Sequence, residues 1–232
     1  MTITSPHNAK LKEVRALHRR RERDDRGRFV AEGEDLLAAA DAAGWVPVHR
    51  LVAEGSGLAG EEVDPDLLGG VSTLGSGSRV VGVYETRWAQ PVGPLCVALW
   101  GVGDPGNVGA VIRSALAFGA SSVALGPNCA DPYSPKAVRA SMGAIFTLPV
   151  ARVASIDELP GETIGLAARA GDELRGDGAT AERTLVIGAE RTGLGEDVEQ
   201  ACDRLAHIPI SSESLNAAMA ATIALYEVTR RP

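Results

Sequence analysis

Hydrophobic spacing divides this chain into two stretches of different character. Residues 8–23 read as a helix, stopped by the polar turn Asp24-Asp25-Arg26-Gly27. A short apolar strand at 29–31 and a helix at 35–43, closed by Gly44, come next. Residues 46–52 are strand-like. Residues 54–78 are rich in Gly, Asp and Ser, with weak elements such as Pro65-Asp66-Leu67-Leu68, and 79–84 make another strand. The pattern predicts a small mixed α/β unit. Pro91, Gly93 and Pro94 mark residues 89–94 as a linker between a domain at 1–88 and one at 95–232.

Past the linker, apolar runs of strand length alternate with helical patterns. Strands are expected at 95–100, 122–125, 146–150, 163–167, 184–187 and 205–208. Helices are expected from residue 107, over 135–141, and over a long Ala-rich stretch at 215–229. Such alternation predicts an α/β fold with a parallel sheet covered on both faces.

Composition changes this picture in few places. The chain has 232 residues, 45% of them hydrophobic and 23% charged, which is ordinary globular material. The first residues lack the apolar stretch of a secretory signal. The longest uncharged stretches are too short or too broken by Pro and Gly to span a bilayer, so a soluble cytoplasmic protein is expected. Cys96, Cys129 and Cys202 are far apart and the four histidines are scattered, so no metal site is expected.

Charge is unevenly spread. Residues 1–30 hold nine Lys and Arg against four acids, a net of +5 inside a chain whose net charge is −7. A basic head on an acidic body suits a polyanionic partner such as RNA or DNA. Aromatic residues are only 4%, so contact with nucleic acid would lean on charge and backbone rather than on stacking.

The chemistry concentrates in the turn Asp104-Pro105-Gly106-Asn107-Val108-Gly109, which leads a strand into a helix that carries Arg113. A glycine-rich turn before a helix can present backbone N–H groups to an anion. Gly101-Val102-Gly103-Asp104-Pro105-Gly106 matches the dinucleotide fingerprint. That reading also demands an acidic residue at the end of the next strand, and Leu125-Gly126-Pro127-Asn128 has none. A nicotinamide oxidoreductase is therefore disfavoured. Two later turns are also unusual. Ile187-Gly188-Ala189-Glu190-Arg191-Thr192-Gly193-Leu194 opens from a buried strand. Ile208-Pro209-Ile210-Ser211-Ser212-Glu213-Ser214-Leu215-Asn216 leads into the last helix, which Ser214 could cap.

In this order the three turns resemble the three motifs of the SpoU/TrmH family of RNA ribose 2′-O-methyltransferases, within the SPOUT class. Val138-Arg139-Ala140-Ser141-Met142-Gly143-Ala144-Ile145-Phe146 is similar to the family's connecting segment. Ile3-Thr4-Ser5-Pro6-His7-Asn8 and Phe29-Val30-Ala31-Glu32-Gly33 are similar to its accessory substrate-binding domain.

The resemblance implies a parallel-sheet methyltransferase domain with a C-terminal trefoil knot, preceded by a small mixed α/β RNA-binding domain. It implies S-adenosylmethionine as cofactor, held through Gly188, Ile208 and Leu215, with Ile187 and Ile210 as apolar walls. A homodimer is implied, with RNA as partner, rRNA before tRNA, and no membrane. Arg113 would be the catalytic residue, as phosphate clamp and stabiliser of a developing alkoxide, since arginine keeps its proton in proteins. Asn107 would hold the turn or Arg113, Glu190 would orient Arg113 or Asn107, and Ser214 and Asn216 would line the methyl-transfer face. The loop from Ile208 to Leu215 is shorter than the family's usual form and lacks its glycine. The alternative is a non-catalytic RNA-binding protein on the same scaffold.

Overall fold

The helix expected over 8–23 is two helices, α1 (Ala9–Leu17) and α2 (Arg20–Arg26), in the computed structural model, which describes residues 2–74, 77–176, 181–211 and 214–230. Arg19 between them is extended, at φ −94° and ψ 134°. The break turns Arg23 inward. Its Nη1 donates to the Leu17 carbonyl at the end of α1 (2.8 Å) and its Nε to buried Asp131 (2.7 Å). In one unbroken helix Arg23 would lie roughly 120° around the axis from Leu17, off the core face. Helix α2 has no apolar stripe and continues through the expected turn to Arg26. It ends where Gly27 adopts a left-handed φ of 61°.

Two units emerge: residues Met1–Arg87 with Asp131–Thr147, and Trp88–Ala130 with Leu148–Pro232. In the first, β1 (Arg28–Glu32), α3 (Glu34–Ala42), β2 (His49–Ala53), β3 (Glu61–Val63), α4 (Pro65–Gly69) and β4 (Val80–Glu85) follow α2. Its mixed sheet runs β1-β4-β2-β3, with only β2 and β3 parallel. Leu11, Val14 and Leu17 of α1 pack with Val30, Leu51, Val81 and Val83 in its core.

The chain next runs β5 (Leu95–Leu99), α5 (Pro105–Ala117) and β6 (Ser122–Leu125) in the second unit. It returns to the first with α6 (Pro135–Ala140). There Tyr133 and Phe146 pack against Phe29, and the Trp45 indole donates to the Phe146 carbonyl at 2.8 Å. The strand expected over 146–150 is instead a short 3-10 turn, Ala144–Phe146, followed by β7 (Val150–Arg152). Pro149 and the turn hold the apolar positions that mimicked a longer strand.

Then come β8 (Glu162–Leu166), β9 (Asp172–Glu173), β10 (Arg183–Ile187), α7 (Glu196–Ala201), β11 (Arg204–His207) and α8 (Ala217–Thr229). All strand pairs in the second unit are parallel, in the order β7-β6-β5-β10-β8-β11-β9. The central strands β5, β6 and β10 are buried along their whole length, as a sheet covered on both faces requires. Residues 89–94 are hydrogen-bonded to this unit, through the Ala89 N–H to Val150 O (2.9 Å) and the Val92 N–H to Ser122 Oγ (2.9 Å). Among the described residues no helix is long and apolar enough to cross a membrane.

Candidate active site

Chain geometry brings the three motif turns together at the carboxyl ends of β5, β10 and β11. Asp104 starts α5: its carboxylate accepts the Asn107 N–H at 3.1 Å, and Pro105 occupies the first turn, where no N–H is needed. This corrects the expectation of an anion cradle there. The protein's own carboxylate occupies the helix N-terminus, which repels a second anion.

The Asn107 side chain is used at both ends. Its Nδ2 donates to Glu190 Oε1, and its Oδ1 accepts from Asn216 Nδ2 at 3.1 Å. One residue from each motif therefore joins a single network. Asn216 is fixed from its other end, because its Oδ1 accepts the N–H groups of Ala218 (3.0 Å) and Met219 (3.3 Å) and caps α8. The cap is Asn216 and not Ser214, since the helix begins two residues later than the apolar pattern indicated.

Glu190 sits on a loop that the chain closes tightly. The Ala189 N–H donates to Gly193 O (3.1 Å) and the Gly193 N–H to Ala189 O (2.9 Å). A Cβ on Gly188 would lie 2.2 Å from the Gly193 carbonyl carbon, so no other residue fits there. Gly193 itself has a left-handed φ of 63°.

Beneath this loop lies a cavity of about 260 Å³. Ile187, Gly188, Ile208, Ile210 and Leu215, the residues expected at the cofactor, all line it. Leu166, Ala167 and Ala168 also line it, and the sequence reading omitted them. Their signal was the carboxyl end of a parallel strand, where open α/β sheets bind ligands. The apolar walls, backbone-rich rim and size near the small end of ordinary ligand sites, roughly 300–1,000 Å³, fit an adenosyl group. A second, more open hollow adjoins it, lined by Ala189, Glu190, Arg191, Ser214, Leu215 and Asn216.

Arg113 stands apart from this assembly. It is exposed on α5 and lines neither hollow. Among the described residues its guanidinium has no hydrogen-bond or ion-pair partner. Glu190 meets Asn107 rather than Arg113, since Arg113 lies roughly 120° around the helix from Asn107. Ser214 lines both hollows. Ser212 and Glu213 of the third turn lie outside the described residues.

Comparison with known proteins agrees with this geometry. A model described as the SpoU rRNA Methylase family matches residues 94–226, and one described as the MRM3-like substrate binding domain matches residues 8–85. The chain is 29% identical over 248 residues to the 23S rRNA (guanosine(2553)-2'-O)-methyltransferase RlmP of Bacillus subtilis, covering 97% of this chain and 98% of that one. Among solved structures it is similar to the AdoMet-bound rRNA methyltransferase from Sinorhizobium meliloti, with a TM-score of 0.88 at 30% identity over 98% of this chain and 97% of that one. It is also similar to the SpoU methyltransferase AviRb from Streptomyces viridochromogenes in complex with AdoMet. There the TM-score is 0.84 at 30% identity, over 96% of this chain and 97% of that one. With more than half of its length matched and its three motif turns joined by one hydrogen-bond network beside a cavity, the chain belongs to the SpoU rRNA methylase family of RNA 2′-O-methyltransferases.

Proposed function

We propose that this protein transfers the methyl group of S-adenosylmethionine to the 2′-hydroxyl of a ribose in ribosomal RNA. The observation that carries the reading is the Asn107–Glu190–Asn216 network, whose Glu190 lines the same cavity as Ile187, Gly188, Ile208, Ile210 and Leu215. When bound, S-adenosylmethionine supplies an electrophilic methyl on its sulfonium. The chain's task is then positioning, because the ribose oxygen must meet that methyl in line. Ile187, Ile208 and Ile210 exclude water from one side, and Gly188 leaves room for close approach of backbone. Asn107 locks Glu190 and Asn216 at fixed places beside the second hollow, where the ribose enters and Ser214 lines the wall. The hydroxyl proton would pass to solvent as its oxygen takes the methyl group and S-adenosylhomocysteine leaves. Arg113, which lines neither hollow of its own chain, would stabilise the developing alkoxide from the second chain of a homodimer.

Residues 1–88 bind the RNA. Seven of the nine cations in residues 1–30 already face acids, among them Arg20–Asp24 and Arg21–Asp25 at 3.6 Å and Arg28–Glu13 at 2.8 Å. The Arg20–Asp24 and Arg21–Asp25 pairs on α2 are loose, and phosphates can compete for those two arginines, whereas Arg26 holds Glu22 at 2.8 Å. A C-terminal trefoil knot is supported by the strand order, which inserts β10 between β5 and β8 while β11 lies on the far side of β8. A homodimer and a cytoplasmic site of action complete the reading. The non-catalytic alternative has less support, because the network and the cavity are both in place.

The test is to map 2′-O-methylation across total RNA from cells with and without the gene, and to titrate the protein with S-adenosylmethionine by calorimetry. One ribosomal nucleotide should lose its methyl group, and the cofactor should bind. Cofactor binding with an unchanged methylation map would overturn the RNA assignment.

A further inference from the structure

Arg191 is the one cation among the described residues lining the two hollows. The other ionisable groups there, Glu190 and Glu199, are acids. A polyanionic substrate that must bring a ribose into the open hollow meets a carboxylate, Glu190, and this guanidinium as its only charged groups among the described residues. Arg191 is exposed, and among the described residues it makes no hydrogen bond or ion pair.

Its backbone is nevertheless held firmly. Arg191 lies inside the 189–193 loop, closed by the two Ala189–Gly193 hydrogen bonds, and its neighbour Glu190 is tied to Asn107. A preset backbone with an unpaired fork suits a group that arrives with the substrate, because little order is left to impose on binding. Arg113, the clamp expected from sequence, borders neither hollow.

We propose that Arg191 is a substrate-positioning residue that holds a backbone phosphate of the RNA next to the ribose being methylated. This rests on the methyltransferase reading above. The ligand is a phosphodiester of single-stranded RNA, since only an unstacked, unpaired nucleotide can splay its ribose out of the strand and into the hollow. A guanidinium offers two parallel donors to a phosphate, and a lysine at the same place offers only a point charge.

The experiment compares wild type, Arg191→Ala and Arg191→Lys. The RNA is total rRNA from a strain lacking the gene, methylated with radiolabelled S-adenosylmethionine over a range of salt. Cofactor affinity is measured separately by calorimetry with S-adenosylhomocysteine. Arg191→Ala should raise KM for RNA roughly ten- to a hundredfold, the size of a lost charge-assisted hydrogen bond. It should also lower the slope of log affinity against log salt by about 0.7, one phosphate's worth on a single strand. Arg191→Lys should recover the salt slope but only part of the KM. Affinity for S-adenosylhomocysteine should stay as in wild type, which also shows that the variants fold. Weakened S-adenosylhomocysteine binding would overturn the proposal by assigning the cation to the amino-acid carboxylate of the cofactor. An unchanged KM and salt slope would overturn it by making Arg191 a solvated loop residue. The underlying methyltransferase reading fails separately, if wild-type protein methylates none of this RNA.

Discussion

Asn107 spends both ends of its amide on residues 83 and 109 positions away in the chain, Glu190 and Asn216. The resemblance picked out all three and gave Asn107 as one of two partners for Glu190, but the bond to Asn216 was not legible, because nothing in local spacing says which distant loops converge. Arg113 was more legible than it was read to be. Six residues from Asn107, it lies on a different side of the same helix, so one helical wheel separates it from the network. Arg191 escaped notice because a lone arginine in a glycine turn gains meaning only when the cavities on either side are known. The network predicts a specific genetic outcome. Asn107→Asp should place a carboxylate against Glu190 and lower kcat roughly a hundredfold, the usual size of a small misplacement near the chemistry. Adding Glu190→Gln restores a donor–acceptor pair with reversed polarity and should return part of that loss. Steady-state kinetics on the double variant decides: no recovery would mean that the Glu190 carboxylate acts on the reaction itself.

Elements were read well where the hydrophobic period was clean and poorly where side-chain pairing set the boundary. The expected strand at 122–125 is β6 to the residue, because a buried parallel strand is an uninterrupted apolar run. Helix α2 could not be separated from α1 by pattern, since a buried Arg23–Asp131 pair decides the break and its partner is 108 residues away. The strands β8 and β11 are joined in a similar way. The Asp203 carboxylate accepts both the N–H and the Oγ1 hydrogen of Thr163, each at 2.7 Å, and these bonds hold its pKa below the ordinary carboxylate value. A carboxyl whose folded pKa is lowered adds stability above its unfolded value, near 3.9, and loses it as pH falls through the folded one. Urea unfolding of wild type and Asp203→Asn from pH 7 down to pH 2 should therefore show a stability gap that closes at the acid end. A gap of constant size across that range would mean that the bond matters through shape alone.

Across the whole molecule, the stretch 131–147 reads in sequence as one more helix of the alternation, yet it folds into the first unit through Arg23, Phe29 and Trp45. No periodicity marks that exchange. The last helix poses the converse problem, because α8 is apolar over most of its surface and only part of it is covered. Its small residues Ala217, Ala221 and Ala224 are buried in the second unit itself, so they are not the face left for a partner. The contacts Asn107–Asn216, Ser114–Thr222 and Phe118–Tyr226 show α5 and α8 running side by side in one direction. What stays in solvent is large: Met219 at 62% exposure, Ile223 at 40%, Tyr226 at 54%, and Leu116 of α5 at 37%. An apolar stripe at this helical spacing, Met219, Ile223 and Tyr226, belongs in an interior, and a second copy of the same surface can supply one by two-fold symmetry. Arg113 shares the exposed side of α5 with Leu116, so a pairing that covers Leu116 also brings Arg113 against the second copy. Wild-type protein should sediment as a dimer at micromolar concentration. Ile223→Asp should weaken that dimer on the order of thirtyfold or more, as loss of a central apolar anchor does. Circular dichroism should remain that of the folded chain, while methyl transfer falls together with the dimer fraction. A wild type that sediments as a monomer would remove the pairing, and full activity in a monomeric Ile223→Asp would show that Arg113 works within its own chain.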